Sequence, residues 1–179
     1  MVYVFLAEGF EEVEALTPLD LLRRAHVDVA TVGISGRMIT GSHKITVEAD
    51  LTADELLLGP GVEMIVLSGG MPGTLNLEKS AAVQAAVDYC AENDKWIGAI
   101  CAAPSILGHK GLLDGREAIC YPGFEAQLTG ATVSASSVAQ DGRYVTAKGA
   151  GAAVPFGLKL VEVLKGTAEA DALAAAICY

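Results

Sequence analysis

The 179 residues of this chain are enough for one domain, residues 1–179, with a hydrophobic core of its own. Hydrophobic residues make up 52% of the composition, which excludes a disordered chain. Acidic residues outnumber basic residues by 22 to 12, and the net charge of −10 repels phosphate groups, so neither nucleic acids nor membranes are expected as partners.

The chain begins with a short apolar segment, residues 1–7, which ends at Glu8. No basic region precedes this segment, so it does not have the pattern of a signal peptide. The other apolar runs are also far shorter than a membrane span. We therefore expect a cytoplasmic protein without a transmembrane helix.

Apolar runs of strand length alternate with helical patterns along the chain. Strands are predicted at residues 1–7, 27–34, 64–70, 96–100 and 117–120, hairpins at 38–48 and 138–147, and helices at 11–25, 52–58, 80–93, 103–110, 152–164 and 167–179. This alternation predicts an α/β fold with a doubly wound, mostly parallel sheet that is covered on both faces. Ligands of such folds bind beyond the carboxyl ends of the strands, so the segments that follow the strands are the candidate sites.

Cys101 lies where a predicted strand meets a predicted helix, in the stretch "AICAAPS". Its small neighbours suit a tight turn, and Pro104 suits the first turn of a helix. A helix N-terminus favours thiolate over thiol, so a cysteine in this position is expected to have a lowered pKa and to act as a nucleophile. The alternative, that Cys101 is a small buried hydrophobic residue, remains open at this point.

A pair of glycines, Gly69 and Gly70, follows the apolar strand that precedes them in "LSGG". Glycines in this position let the backbone approach a ligand and present an amide to a developing oxyanion. An ordinary tight turn between a strand and a helix has the same pattern, so this signal is weak by itself.

Three glutamates, Glu11, Glu12 and Glu14, follow the first strand. A carboxyl group near the thiol would act as a general acid or base if burial raises its pKa. Glu11 and Glu12 are interpreted as acidic residues that favour a helix N-terminus. Either a helix begins only at Thr17, or Pro18 lies inside a longer helix and leaves the carbonyl group of Glu14 without a donor. Helical spacing alone does not select Glu14 over Glu12.

The other polar motifs do not support a metal site or a cofactor site. His26, His43 and His109 are interpreted as surface or helix-end residues, so a Cys–His dyad has no support. The four cysteines form no C-x-x-C pair, and Cys120 is interpreted as a core thiol. The glycines of residues 148–154 do not complete a dinucleotide fingerprint and are attributed to a close turn between a strand and a helix.

Several segments together resemble the ThiJ/PfpI superfamily, and in particular the branch of the parkinsonism-associated protein deglycase and its bacterial relatives. These segments are "EGFEEVEALTPLDLLRRA", "VLSGGMPGTLNLEKSAAV", "GAICAAPSIL" and "DGRYVTAKGAG", and they match in order over nearly the whole chain. The resemblance implies a flavodoxin-like, three-layer fold of the class I glutamine-amidotransferase type. It also implies a homodimer, with the glutamate-bearing segment close to the subunit interface.

The resemblance further implies roles for individual residues. Cys101 would be the nucleophile, and Glu14 would be a protonated carboxyl group that forms a hydrogen bond with its sulfur. The backbone amides of Gly70 and Ala102 would hold the oxyanion.

Some positions depart from the family pattern. Tyr121 stands where many relatives have a histidine before a proline, which leaves a phenol in place of an imidazole near the pocket. Together with Gly69, Tyr121 is a candidate for contact with the substrate. Ala150 replaces a proline in the late glycine turn, and His43 replaces an arginine of a relative.

The superfamily is linked to reactive dicarbonyls, through glutathione-independent glyoxalase activity and protein deglycation. The expected reaction is attack of the Cys101 thiolate on the aldehyde of methylglyoxal or glyoxal, with Glu14 as proton relay and without a cofactor. Glycated protein is the other expected substrate. A chaperone-like redox sensor that is switched by oxidation of Cys101 is the alternative from another class, and a cysteine peptidase is the third.

Overall fold

The computed structural model describes residues 1–179, and a seven-stranded sheet forms its centre. The strands of the molecule are β1 (Val2–Leu6), β2 (Val29–Gly33), β3 (Met38–Thr40), β4 (Thr46–Glu48), β5 (Leu51–Thr52), β6 (Met64–Leu67), β7 (Trp96–Ile100), β8 (Glu117–Ala118), β9 (Thr132–Val133), β10 (Val138–Asp141) and β11 (Tyr144–Ala147). The central sheet has the order β10-β11-β7-β6-β1-β2-β5. Its neighbours are parallel except for the β10–β11 hairpin, which confirms the predicted mostly parallel sheet.

Helices cover both faces of this sheet. They are α1 (Glu12–Arg24), α2 (Gly73–Lys79), α3 (Ala81–Glu92), α4 (Pro104–His109), α5 (Ala153–Lys165) and α6 (Thr167–Ala176). The helices fall into two groups, each of which packs in its own hydrophobic cluster. Helices α1, α5 and α6 contribute to the first cluster, and α2, α3 and α4 contribute to the second. Successive residues of a strand point to opposite faces, so Val4 enters the first cluster and Phe5 enters the second. None of the helices combines the length and the hydrophobicity that crossing a bilayer requires.

Helix α1 includes Pro18, so the interpretation in which a helix begins only at Thr17 is wrong. Glu11 is the N-cap, and its carboxylate accepts a hydrogen bond of 2.7 Å from the N–H group of Glu14. Because proline has no N–H group, the carbonyl group of Glu14 lacks its usual helical donor. A Cβ atom at Gly157 of α5 would lie 3.0 Å from Pro18, so a glycine lets α5 approach α1 at this point.

Three expectations about local structure need correction. The predicted helix 52–58 is only a 3₁₀ turn, Ala53–Glu55, because the segment is too short for a helix to propagate before Gly59 and Pro60. The predicted strand 117–120 is only β8, which pairs with β9 outside the central sheet. The ladder ends there because the next N–H group, that of Ile119, donates to a side chain, Thr146 Oγ1, at 2.9 Å. The third correction is helix α2, which forms at a segment where no helix was predicted.

Candidate active site

Cys101 lies directly between β7 and α4, as predicted, at the carboxyl end of the strand. Its φ angle of 65° is in the left-handed region, which residues other than glycine rarely adopt. Two backbone hydrogen bonds hold this conformation: the N–H group of Cys101 donates to Ala147 at 2.9 Å, and its carbonyl group accepts from Tyr121 at 2.8 Å. This is the backbone geometry of a nucleophile elbow, in which a sharp turn presents one side chain beyond the sheet.

The side chain of Glu14 is buried, with 2% exposure, and faces the same space as the thiol of Cys101. A Cβ atom at Gly69 would lie 2.3 Å from Glu14 Oε2 and 3.0 Å from Cys101 Sγ. The two reactive atoms therefore border one small gap, which only a glycine at position 69 leaves free. The Oε2 atom of Glu14 is buried and has no nitrogen or oxygen donor. The weakly donating thiol of Cys101 is its polar neighbour across this gap.

Burial raises the pKa of Glu14 to about 7, and the charge of Glu11 adds to this effect. The Cys101 thiol and the N–H groups of Gly69 and Ala150 act in the opposite direction without cancelling it. A carboxyl group with this pKa can both accept and release a proton near neutral pH.

The lowered pKa expected for Cys101 is wrong for this arrangement. Burial and the neighbouring Glu14 carboxylate raise the pKa of the Cys101 thiol to about 12, although the N–H groups of Gly70 and Ala102 lower it. Helix α4 has only six residues, so its N-terminus adds little positive potential. The contribution of Glu14 depends on its charge and disappears when Glu14 takes up a proton. Cys101 is thus a half-buried thiol next to a proton acceptor, and its partial exposure also excludes a purely core role.

The backbone N–H groups of Gly70 and Ala102 point toward Cys101 Sγ, where both lower the pKa of the thiol. Gly70 has a φ angle of 94°, and a Cβ atom there would lie 2.4 Å from the backbone nitrogen of Glu11. A glycine is therefore required for this amide to come so close. An oxygen anion that forms next to the sulfur would meet both donors, so their role in holding an oxyanion stays a prediction that the geometry permits.

An open cleft of about 390 Å³ adjoins the cysteine–glutamate pair. It is lined by Tyr121, Pro122, Ser137, Lys148 and residues 149–152. A Cβ atom at Gly149 would lie 3.3 Å from the Tyr121 ring and 3.7 Å from Glu14 Oε1, so this glycine joins the cleft to the buried carboxyl group. The glycine-rich segment accordingly forms a wall of the cleft, and the exposed Tyr121 borders it.

The histidines are bound elsewhere or exposed, in agreement with the sequence analysis. His109 Nδ1 lies 2.5 Å from a carboxylate oxygen of Glu78, and His26 is on the surface. The thiol of Cys120 is buried in the second hydrophobic cluster, which confirms that it belongs to the core.

The sequence analysis missed the part played by Glu12. This residue is 4% exposed, and its carboxylate accepts hydrogen bonds from the N–H groups of His43 at 2.7 Å and Ile45 at 3.4 Å. His43 Nδ1 lies 2.8 Å from Glu12 Oε2. Burial alone raises the pKa of Glu12, but the hydrogen bonds from the His43 ring and from backbone N–H groups outweigh it and lower the pKa. No signal in the sequence relates Glu12 to the β3–β4 turn, because the contact joins distant segments.

Known proteins resemble this chain over most of its length. The model of the DJ-1/PfpI family matches residues 1–163. Protein DJ-1 homolog A of Arabidopsis thaliana is 34% identical over 174 residues, which are 95% of this chain and 44% of that protein, so the chain spans less than half of that relative. A Pyrococcus abyssi protein named a deglycase is 29% identical over 166 residues, which are 92% of this chain and 99% of that protein. The crystal structure of a mutant DJ-1 superfamily protein from Salmonella typhimurium has a TM-score of 0.93 at 35% identity, with 99% of this chain and 97% of that one covered.

Proposed function

Because the chain belongs to the DJ-1/PfpI family, we propose that it is a cysteine-dependent enzyme that converts small reactive dicarbonyls into hydroxy acids without a cofactor. The observation that carries this proposal is the shared gap at Gly69, which Cys101 Sγ and Glu14 Oε2 both border. The name deglycase, given to the Pyrococcus abyssi relative, supports an enzymatic role.

In the first step, Cys101 Sγ attacks the aldehyde carbon of methylglyoxal or glyoxal, and Glu14 accepts the thiol proton. A raised pKa near 7 makes Glu14 a suitable base for this transfer at neutral pH. The electron pair of the C=O bond moves to the oxygen, where the N–H groups of Gly70 and Ala102 stabilise the negative charge. Glu14 then returns the proton to this oxygen, which completes a hemithioacetal.

In the second step, the Glu14 carboxylate removes the hydrogen from the carbon that bears sulfur, and the electron pair moves toward the neighbouring carbonyl group. Glu14 delivers that proton to the second carbon, and the hydroxyl proton of the first carbon passes to the oxygen of the second. The first carbon is thereby oxidised to a thioester, and its neighbour is reduced to an alcohol. Water hydrolyses the thioester, releases lactate or glycolate and restores the thiol. The sum is one dicarbonyl and one water to one hydroxy acid, with no external oxidant.

The proposal extends to the assembly, the location and a larger substrate. Val13 follows the buried Glu12 in the chain, and the N–H group of Ile45 donates to the Glu12 carboxylate. Their side chains are 49% and 53% exposed and offer apolar surface to a second copy of the chain in a homodimer. The cytoplasm is the proposed location, where cysteines such as the free ones of this chain stay reduced. Glycated protein is the second substrate class for the same nucleophile.

The proposal is tested by the conversion of methylglyoxal to lactate. We expect Cys101→Ser and Glu14→Gln to reduce kcat/KM by about 100-fold or more, because each removes one member of the pair. The matched control is Cys178→Ser, which changes an exposed thiol far along the chain and should leave the rate unaltered.

Equal rates for wild type and Cys101→Ser would refute the proposal. Negligible dicarbonyl consumption, combined with suppression of client aggregation that follows the oxidation state of Cys101, would favour the redox-sensing alternative. Cleavage of members of a peptide library would favour the peptidase.

A further inference from the structure

Lys148 is a cation without an acidic partner at the cleft beside the reactive pair. Seven of the 12 basic residues form ion pairs with acidic side chains. The five that do not are Lys44, Lys79, Lys95, Lys148 and Lys165. Of these five, Lys148 alone lines the cleft next to Glu14 and Cys101, and its side chain is exposed to solvent.

The cleft is larger than the reaction itself requires. Its volume of about 390 Å³ corresponds to on the order of a dozen water molecules, whereas methylglyoxal has only three carbons. Small residues form one wall, Ala150 to Ala152, and the residues Tyr121, Pro122, Ser137 and Lys148 line the rest. The backbone N–H group of Lys148 donates to the carbonyl group of Ser137 at 2.9 Å, which holds the lysine backbone at this wall. The site therefore has room and a cation for a further group of the substrate.

The charge of the whole protein makes this cation informative. A net charge of −10 repels anions in general, so an ammonium group without an acidic partner at the cleft is a local exception that attracts them. We propose, on the basis of the function proposed above, that Lys148 selects dicarbonyl substrates that carry a carboxylate at the end remote from the aldehyde. Lys148 is thus a specificity-determining residue, and the exposed Tyr121 borders the same substrate-binding cleft.

The first test compares methylglyoxal with 4,5-dioxopentanoate, a 2-oxoaldehyde that carries a carboxylate. The measured quantity is the ratio of kcat/KM for the carboxylated substrate to kcat/KM for methylglyoxal. Lys148→Met should lower this ratio about five-fold, as expected for one exposed charge pair, and Lys148→Glu should lower it further. Lys165→Met, which removes another exposed lysine without an ion pair, is the control and should leave the ratio unchanged. An unaltered ratio in both Lys148 variants overturns the inference.

The second test does not depend on turnover. Iodoacetate is an anion and iodoacetamide is neutral, and both alkylate the same thiol, so the ratio of their rates at Cys101 reports attraction of anions to the cleft. We expect this ratio to fall about five-fold in Lys148→Met relative to wild type and Lys165→Met, with mass spectrometry of the Cys101 peptide as readout. If Lys148→Met lowers the alkylation ratio but the wild-type protein consumes no dicarbonyl, the proposed function is refuted and the anion site is supported. If the wild-type protein consumes dicarbonyls but Lys148→Met leaves the alkylation ratio unchanged, the anion site is refuted and the proposed function is supported.

Discussion

Glu12 and Glu14 lie two residues apart in the first turn of α1, and both are buried, but their pKa values move in opposite directions. The pKa of Glu12 is lowered, and that of Glu14 is raised to about 7. Glu12 faces the β3–β4 turn, where the backbone and the ring of His43 donate hydrogen bonds to it. Glu14 faces Gly69 and a thiol, and one of its oxygens has no donor.

The comparison shows that burial alone does not decide the state of a carboxyl group. Burial raises the pKa of both residues, and the supply of N–H donors then determines the net direction. A carboxylate that is fully hydrogen-bonded ties two segments together, as Glu12 does for α1 and the β3–β4 turn. A carboxyl group whose donors do not outweigh its burial, as for Glu14, keeps a proton that a reaction can use, at a cost in stability.

The same substitution at the two positions should have opposite effects on stability, and Glu14→Gln should have the larger one. The folded-state pKa of Glu14, about 7, lies above its ordinary value of 4.5, so its favourable contribution is complete below 4.5 and is lost as the pH rises through 7. At about pH 8, Glu14→Gln should therefore increase the free energy of unfolding by about 3 kcal/mol relative to wild type, and near pH 4 by almost nothing. Urea denaturation at both pH values measures this. A variant less stable than wild type at the higher pH contradicts the account.

Filling the gap between the two reactive atoms should abolish most of the activity. In Gly69→Ala the new methyl group would lie 2.3 Å from Glu14 Oε2 and 2.5 Å from Cys101 Cβ, so the pair must separate. A displacement of this kind should reduce kcat/KM for methylglyoxal about 100-fold, equivalent to ~2.7 kcal/mol.

The control for this experiment is Gly61→Ala, because a Cβ atom at Gly61 meets nothing within 4 Å. This variant should keep the wild-type rate. A Gly69→Ala enzyme as active as the control would show that the gap has no role in the reaction.

Glu12→Gln should destabilise the protein, by about 2 kcal/mol at neutral pH, because it weakens hydrogen bonds to a buried charge. The folded-state pKa of Glu12 lies below 4.5, so the difference from wild type is present above that pH and shrinks as the pH falls through the folded-state value. Thermal unfolding across this range is the measurement. His43→Ala should cost less, because it removes an exposed ring and leaves the backbone donors in place. If Glu12→Gln is as stable as wild type at neutral pH, the contrast drawn between Glu12 and Glu14 is wrong.

The smallest expected effect concerns Glu11, whose charge raises the pKa of Glu14. Alkylation of Cys101 by iodoacetamide should accelerate as the pH rises through about 7, where Glu14 becomes a base. Glu11→Gln should shift this midpoint downward by less than about one pH unit, and Glu14→Gln should remove it. A midpoint that moves upward in Glu11→Gln would contradict the assigned electrostatics.

Much of the fold follows from patterns within short stretches. The strand predicted at 96–100 and the turn into a helix after Cys101 agree with β7 and α4. A short apolar run followed by small residues and a proline is compatible with few local structures other than a buried strand that turns into a helix. The hairpin over 138–147 is confirmed for a similar reason, with Gly142 at a φ angle of 55° in its turn. The helix expected at 52–58 fails because the segment is too short to propagate before Gly59 and Pro60, and only Leu56 and Leu58 of its leucines pack against the core while Leu57 is largely exposed.

The position of the thiol was therefore readable from the amino-acid sequence, together with the α/β class and the alternation of strands and helices. Helical spacing did not distinguish Glu14 from Glu12. The position of Glu14 beside Cys101, the raised pKa of Cys101 and the contact between Glu12 and His43 follow only from the tertiary structure. The physical reason is that the proton affinity of a side chain depends on donors, charges and water within a few ångströms of it. For Glu14 these neighbours come from residues 69, 101 and 150, which no local pattern relates to it and which only the packed fold brings to the end of the sheet.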